Sequence, residues 1–426
     1  MRLVVALAAM TVALAVVVLA QGTGLFRESR DHPTIAYSTG PVSDAAEKLN
    51  RQLQQGVVEL TFEPTSGYLR SVLDALRIPV ESQALVFSKT ALQAHRINPR
   101  NPRAVFFADS VAVGWVRGGN ALEVAAHDPR QGVVFYTLDQ EPASRPQLRR
   151  NDNCLACHLA WATLGVPGLL MLTTFPMPED DQYAYAMGGF SDHRRPFVER
   201  WGGWYVTGNP GRARHFGNLF VQPENEPDMT GSDVAVQLAS VDGQFDTEGY
   251  LSLHSDIVAL MVLEHQAYLT NLITKIGWET RLALYEQDAS GRIGDVAPRE
   301  TAATFVDYLL FVDEASLPGP IRGSSGFAEA FVAQGPSDRL GRSLREFDLE
   351  RRLMRYPCSY MIYTEAFDAL PPPAKSAIYQ RMWQILSGEA GEERYSTLSL
   401  ADRQAVVEIL RDTKEDLPEY FQPVLR

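Results

Sequence analysis

The stretch NDNCLACHLA, residues 151 to 160, constrains this chain more than any other. Cys154 and Cys157 stand three apart and His158 follows directly. A zinc site would need a second ligand pair at suitable spacing, and the remaining cysteine, Cys358, has no histidine beside it. A thiol redox pair is expected at a helix start within a βαβ pattern, whereas RRNDN precedes this pair and LAWATLG follows it. A strained short-loop disulfide leaves the histidine unexplained. Covalent haem uses all three residues: two thiols add across the two vinyl groups, and the adjacent imidazole becomes the proximal ligand of iron. One short turn then supplies two tethers and one axial bond. The single motif implies one haem c.

The N-terminus fits that chemistry. After Arg2, residues 3 to 20 form an apolar run, interrupted by Thr11 alone, with small residues at Val18 and Ala20, where a signal peptidase could cut. Residues 1–20 read as a signal peptide; at 18 residues the run is also close to bilayer-spanning length, so a retained N-terminal membrane anchor is the alternative. Either way the rest of the chain is expected to face an exported, periplasmic space, where three cysteines make a poor disulfide framework. The net charge of -13 argues against a nucleic-acid partner, since no Lys/Arg block is present to meet a phosphate backbone.

At 426 residues, 45% of them hydrophobic, the chain is long for one domain. Its patterning predicts an α+β fold: N-terminal helices and a small antiparallel sheet, an irregular haem-binding segment, and a mainly α-helical C-terminal lobe. Residues 21–44 read as a spacer and 45–150 as an α/β lobe. There, two helical stretches closed by Gly or Pro precede AVFFADSVAVGWVRGG, ALEVAAHD and GVVFYTLDQ, which read as hairpins or a meander. Residues 151–230 form the haem-binding segment, dense in Gly, Pro and aromatics, with strand-like YAYAMGGF and GGWYVTGN. From 231 to 426 the period is helical. SDIVALMVLEHQAYLTNLITKI is apolar on most faces and should be a buried helix, with further helices at 299–313, 343–355, 374–387 and 399–412. Ser399 and Asp402 have capping-box spacing.

Several stretches together resemble a family of exported bacterial proteins described as cytochrome c domain-containing, without an assigned reaction. They are PRAVFFADSVAVGWVRGG, EVAAHDPRQGVVFYTLDQ, CLACH, DHRRPFVERWGGWYVTGN, SDIVALMVLEHQ, RYPCSYMIYTEAFDALP and LADRQAVVEILRDTKEDLPEYF. The resemblance runs from about residue 85 to the C-terminus. It implies haem at Cys154, Cys157 and His158, and it implies no substrate.

The position opposite His158 decides the class of function, because a strong second ligand suits electron transfer while an open position admits a small molecule. Candidates are Met171, Met177, Met187, His193, His215, His254 and His265. Taken as residues of one helix, His254 and His265 share a face about 16 Å apart and cannot both serve one iron. In DHRRPFVER, Arg194, Arg195 and Arg200 suit the two haem propionates, which brings His193 to the haem edge as first choice, with Met187 second. Trp201, Trp204 and Tyr205 either wall the pocket, pass electrons, or fill a twisted hairpin core. Cys358 reads as a buried small hydrophobe and DGQFDTEG as a turn. No phosphate loop, nucleophile elbow or HExxH is present, which leaves three classes open. These are an electron carrier with a redox donor or acceptor, a peroxidase-like haem oxidoreductase, and a haem sensor or docking module.

Overall fold

The structure is a computed structural model that describes residues 26–175, 185–220, 237–291, 296 and 298–423. Residues 1–20, read from the sequence as a signal peptide or anchor, and Met177 lie outside the described residues. The described residues form a mixed α+β fold with ten helices and a seven-stranded antiparallel sheet.

The sheet is a meander in which alternation of side chains sets two faces. Strands β1 (Ala84–Val86), β2 (Arg103–Phe107), β3 (Val111–Trp115), β4 (Ala121–Asp128), β5 (Gly132–Asp139) and β6 (Arg149–Arg150) pair in sequence order. β7 (Leu172–Phe175) and β8 (Tyr185–Phe190) make a separate hairpin. The segment after it contributes β9 (Trp204–Tyr205), which adds to the free edge of β1. GGWYVTGN therefore supplies only a two-residue edge strand, beside a sheet larger than the pattern of hairpins alone predicts.

Leu85, Ala104, Phe106, Val113, Val124 and Tyr136 share one face and are buried in one apolar cluster. Three helices precede the meander, α1 (Arg27–Asp31), α2 (Ala45–Gln54) and α3 (Leu69–Leu76), and the last two pack on that face through Ala46, Leu49, Val72 and Leu73. The CLACH stretch follows β6 as the single turn α4 (Leu155–His158). The opposite face meets α5 (Ile257–Ser290), which is 34 residues long. Asp256 caps its start by accepting the N–H groups of Val258 and Ala259, and left-handed Gly291 ends it. By length and hydropathy α5 could cross a membrane, but its apolar stretch is 94% buried inside the protein, the buried helix that its all-round apolar pattern predicts.

Beyond α5 lie α6 (Arg299–Leu309), α7 (Phe327–Val332), α8 (Glu365–Asp368), α9 (Pro372–Ser387) and α10 (Leu400–Thr413). The Ser399–Asp402 capping box forms as its spacing requires. The helix expected at 343–355 does not form. Asp348 instead accepts the N–H groups of Glu350 and Arg351, Leu349 takes a left-handed φ of 56°, and Phe347 bridges Met354 across the resulting turn. An Asp side chain that offers the backbone its own partners competes with the helical ladder, and here it wins. His254 is likewise no helix residue: α5 begins at Ile257, so the premise that placed His254 and His265 on one helix is corrected.

Candidate functional site

α4 presents Cys154 half-buried at its start, Cys157 exposed and His158 half-buried at its end. Leu155 and Leu159 anchor it in the same cluster that holds Phe135. The His158 ring lies 4.6 Å from that of Phe135, and its Nδ1 is 2.8 Å from the carbonyl oxygen of Gly168. A carbonyl only accepts, so Nδ1 carries the proton and Nε2 keeps its lone pair. Nε2 makes no hydrogen bond among the described residues. Burial lowers the proton affinity of the ring, which favours the neutral form a metal requires.

The face of the sheet beneath α4 is unusual. In register, Val105, Gly114, Glu123 and Thr137 form one row, and Phe107, Ala112, Ala125 and Phe135 the next. Arg103 on β2 pairs with Glu123 on β4 at 2.7 Å, reaching over β3. Gly114 makes this reach feasible, since a Cβ there would collide with the guanidinium. His158 and Cys154 both feel the charges of this pair. Burial, with Glu123 adding to it, pushes the Cys154 thiol up to about 11, and burial also raises that of Cys157. The small residues Ala112 and Ala125 keep the next row low, and a narrow crevice with room for about one water lies between it and α5. Ala112, Ala125, His127, Leu169, Leu263 and Gln266 are among its lining residues.

The donor set and the protonated Nδ1 are those a covalently held haem would use. Cys154 and Cys157 would hold the porphyrin and His158 the iron. Among the described residues no cluster of three His, Cys, Asp or Glu side chains is placed to hold a bare metal ion.

The other predicted residues are gathered elsewhere. His193 is fully enclosed with its Nδ1 2.7 Å from Nδ1 of His265, whose Nε2 is 2.8 Å from the Ser359 hydroxyl. Tyr308 stacks on His193 at 4.0 Å and Phe311 on His265 at 4.5 Å. At 100° per residue, His265 projects from the side of α5 opposite Leu263, Gln266 and Thr270, which line the crevice. Arg194 pairs with Asp192, Arg195 with Glu199, and Arg200 with Glu264. All three arginines that suited the propionates thus have partners within the protein.

Met171 is buried in the core, and Met187 lies on β8 with its side chain outside the described atoms. His215 packs against Trp201. The indole N–H of Trp201 donates to Glu264 and that of Trp204 to the Leu172 carbonyl; with buried Tyr205, both belong to the core. Cys358 is fully buried, which pushes its thiol up.

Sequence reasoning passed over Arg103, Glu123, His127, Gly168 and Asn271. One signal was available. A lone Asn in the apolar run LTNLI must satisfy a buried amide, and so marks a contact. Comparison with known protein families, with characterised proteins and with solved structures gave no match.

Proposed function

We propose that this protein is an exported monohaem c-type cytochrome that carries electrons in the periplasm or at its membrane. The observation that carries the reading is the turn itself: Cys157 and His158 on one four-residue helix with Cys154 at its N-cap, the imidazole Nδ1–H committed to the Gly168 carbonyl and Nε2 left for iron. Haem supplies a one-electron couple. The irregular segment that follows α4 and the helical lobe beyond would enclose it. The thiols support this reading over a redox pair, because an activated cysteine has a depressed pKa and these two are raised.

A second reading, a peroxidase-like oxidoreductase acting on a small molecule, is favoured by the company His158 keeps. Among the described residues its ring, hydrogen-bond and charged neighbours are Phe135, Gly168, Arg103 and Glu123, with no described histidine or methionine side chain among them. The test is direct. Full-length protein matured in a haem-attaching host should retain haem stain after denaturation, and Cys154→Ala with Cys157→Ala should lose it. A bare polypeptide mass in the wild type overturns the assignment. Ready binding of carbon monoxide by the reduced protein would replace the carrier reading with the oxidoreductase one.

A further inference from the structure

Asn271 stands on α5 and is 1% exposed. Its side-chain oxygen accepts the N–H of Leu169 at 2.8 Å, and its amide donates to the Leu169 carbonyl at 2.8 Å. Both backbone groups of one residue are thus held by one rigid side chain. The preceding residue, Gly168, donates its N–H to the His158 carbonyl at 2.9 Å while its own carbonyl faces His158 Nδ1. One residue further back, the Pro167 carbonyl accepts the N–H of Val133 at 3.0 Å, which ties the loop to β5. The Gly168 carbonyl is therefore fixed from two sides, by the sheet through Pro167 and by α5 through Leu169. Glycine is required there: a Cβ at 168 would collide with the Asn271 side-chain oxygen and press on Thr163.

We propose that Asn271 is the positioning residue for the iron-ligating imidazole. By holding Leu169 it holds the Gly168 carbonyl, and that carbonyl sets the tautomer, the orientation and the basicity of His158. The inference rests on the haem reading. A metal-bound histidine owes its ring orientation and ligand strength to the acceptor on its other nitrogen. A firm Nδ1–H bond puts electron density on the ring and favours ferric iron, so a loosened one raises the reduction potential.

The experiment compares haem-loaded wild type, Asn271→Ala, Gly168→Ala and Thr274→Val. Thr274 lies about one turn along α5, where its hydroxyl is 3.1 Å from His127 Nε2, and it makes no hydrogen bond to Leu169 or Gly168. Covalent haem is first established in the wild type by mass; its absence there overturns the haem reading and this inference with it. With haem present, N271A should retain full haem content, show a higher midpoint potential and convert its absorption spectrum at a less acidic pH as the His158 ligand is lost. G168A, which dislodges the clamp from the loop side, should shift the potential in the same direction and carries the test if N271A does not accumulate folded. T274V should leave the potential in place. An unchanged potential in N271A and G168A, or an equal shift in T274V, overturns the positioning role while leaving the haem intact.

Discussion

Glu264 is fully enclosed, yet it collects three donors: the guanidinium of Arg200, the Ser191 hydroxyl at 2.8 Å and the Trp201 indole N–H at 3.1 Å. Burial pushes its carboxyl up, while Arg200, Ser191 and Trp201 pull it back. Arg200 is equally buried and also donates to the carbonyls of Arg195 and His193. A pair of this kind repays its own desolvation only when its polar atoms are hydrogen-bonded, and here all three side-chain nitrogens of Arg200 and both carboxylate oxygens of Glu264 have a partner. Removing one partner is a different matter, because it leaves the other charge unmet. Glu264→Leu should therefore cost about 3–5 kcal/mol of unfolding free energy. Glu264→Gln, which retains a side-chain oxygen for Ser191 and Trp201, should cost less. The double change Glu264→Leu with Arg200→Met should recover part of the loss. Urea midpoints decide it, and a Leu variant no less stable than the Gln variant would sink the argument.

Between β2 and β4 the surface beneath α4 depends on one glycine. Gly114 lets Arg103 lie across β3 to Glu123, and Ala112 and Ala125 keep the next row shallow. Gly114→Val would lift the floor and displace a guanidinium at the flexible end of its side chain, which the sheet can absorb. It should therefore lower covalent haem content with little change in far-ultraviolet circular dichroism; unchanged haem content would detach this surface from the cofactor. None of this was visible in the sequence, because registry across three strands is a long-range property. The elements were easier to read. α9 and α10 follow from apolar period and caps, the meander follows from β-branched and aromatic runs broken by Gly and Asp, and α5 follows from its apolar surround. The reading failed where a single side chain outbid the pattern, at Asp348, and where a helix start hung on one cap, Asp256. At the candidate site, the CLACH reading rests on adjacent residues alone. The Asn271 clamp was not legible, since it joins residues about a hundred positions apart in sequence.

The whole molecule is organised around α5, and buried histidines gather beside it. His127 meets Thr274 on one side, and His193 and His265 meet each other on the other. His215 is buried near Trp201. Burial lowers His127 to about 4, His215 to about 4 and His265 to about 3, and holds His193 well below its usual range. In the unfolded chain each takes a proton near pH 6.5. Between that value and the lowered one, the unfolded state binds more protons than the native state, so stability must fall as pH falls. Each such histidine contributes a slope of about 1.4 kcal/mol per pH unit across that window. Above about pH 6.5 neither state carries the proton and the contribution is flat. The net charge of -13 pushes the other way, since acid relieves self-repulsion, but that term is long-range and salt screens it. Urea midpoints measured at moderate salt should hold steady above pH 7 and drop steeply from pH 6 to pH 4. Replacing His265 by Gln should flatten the slope by about one proton's worth. A midpoint that stays level or rises through that window would show that these rings titrate in the folded protein, and that the packing around α5 is looser than described.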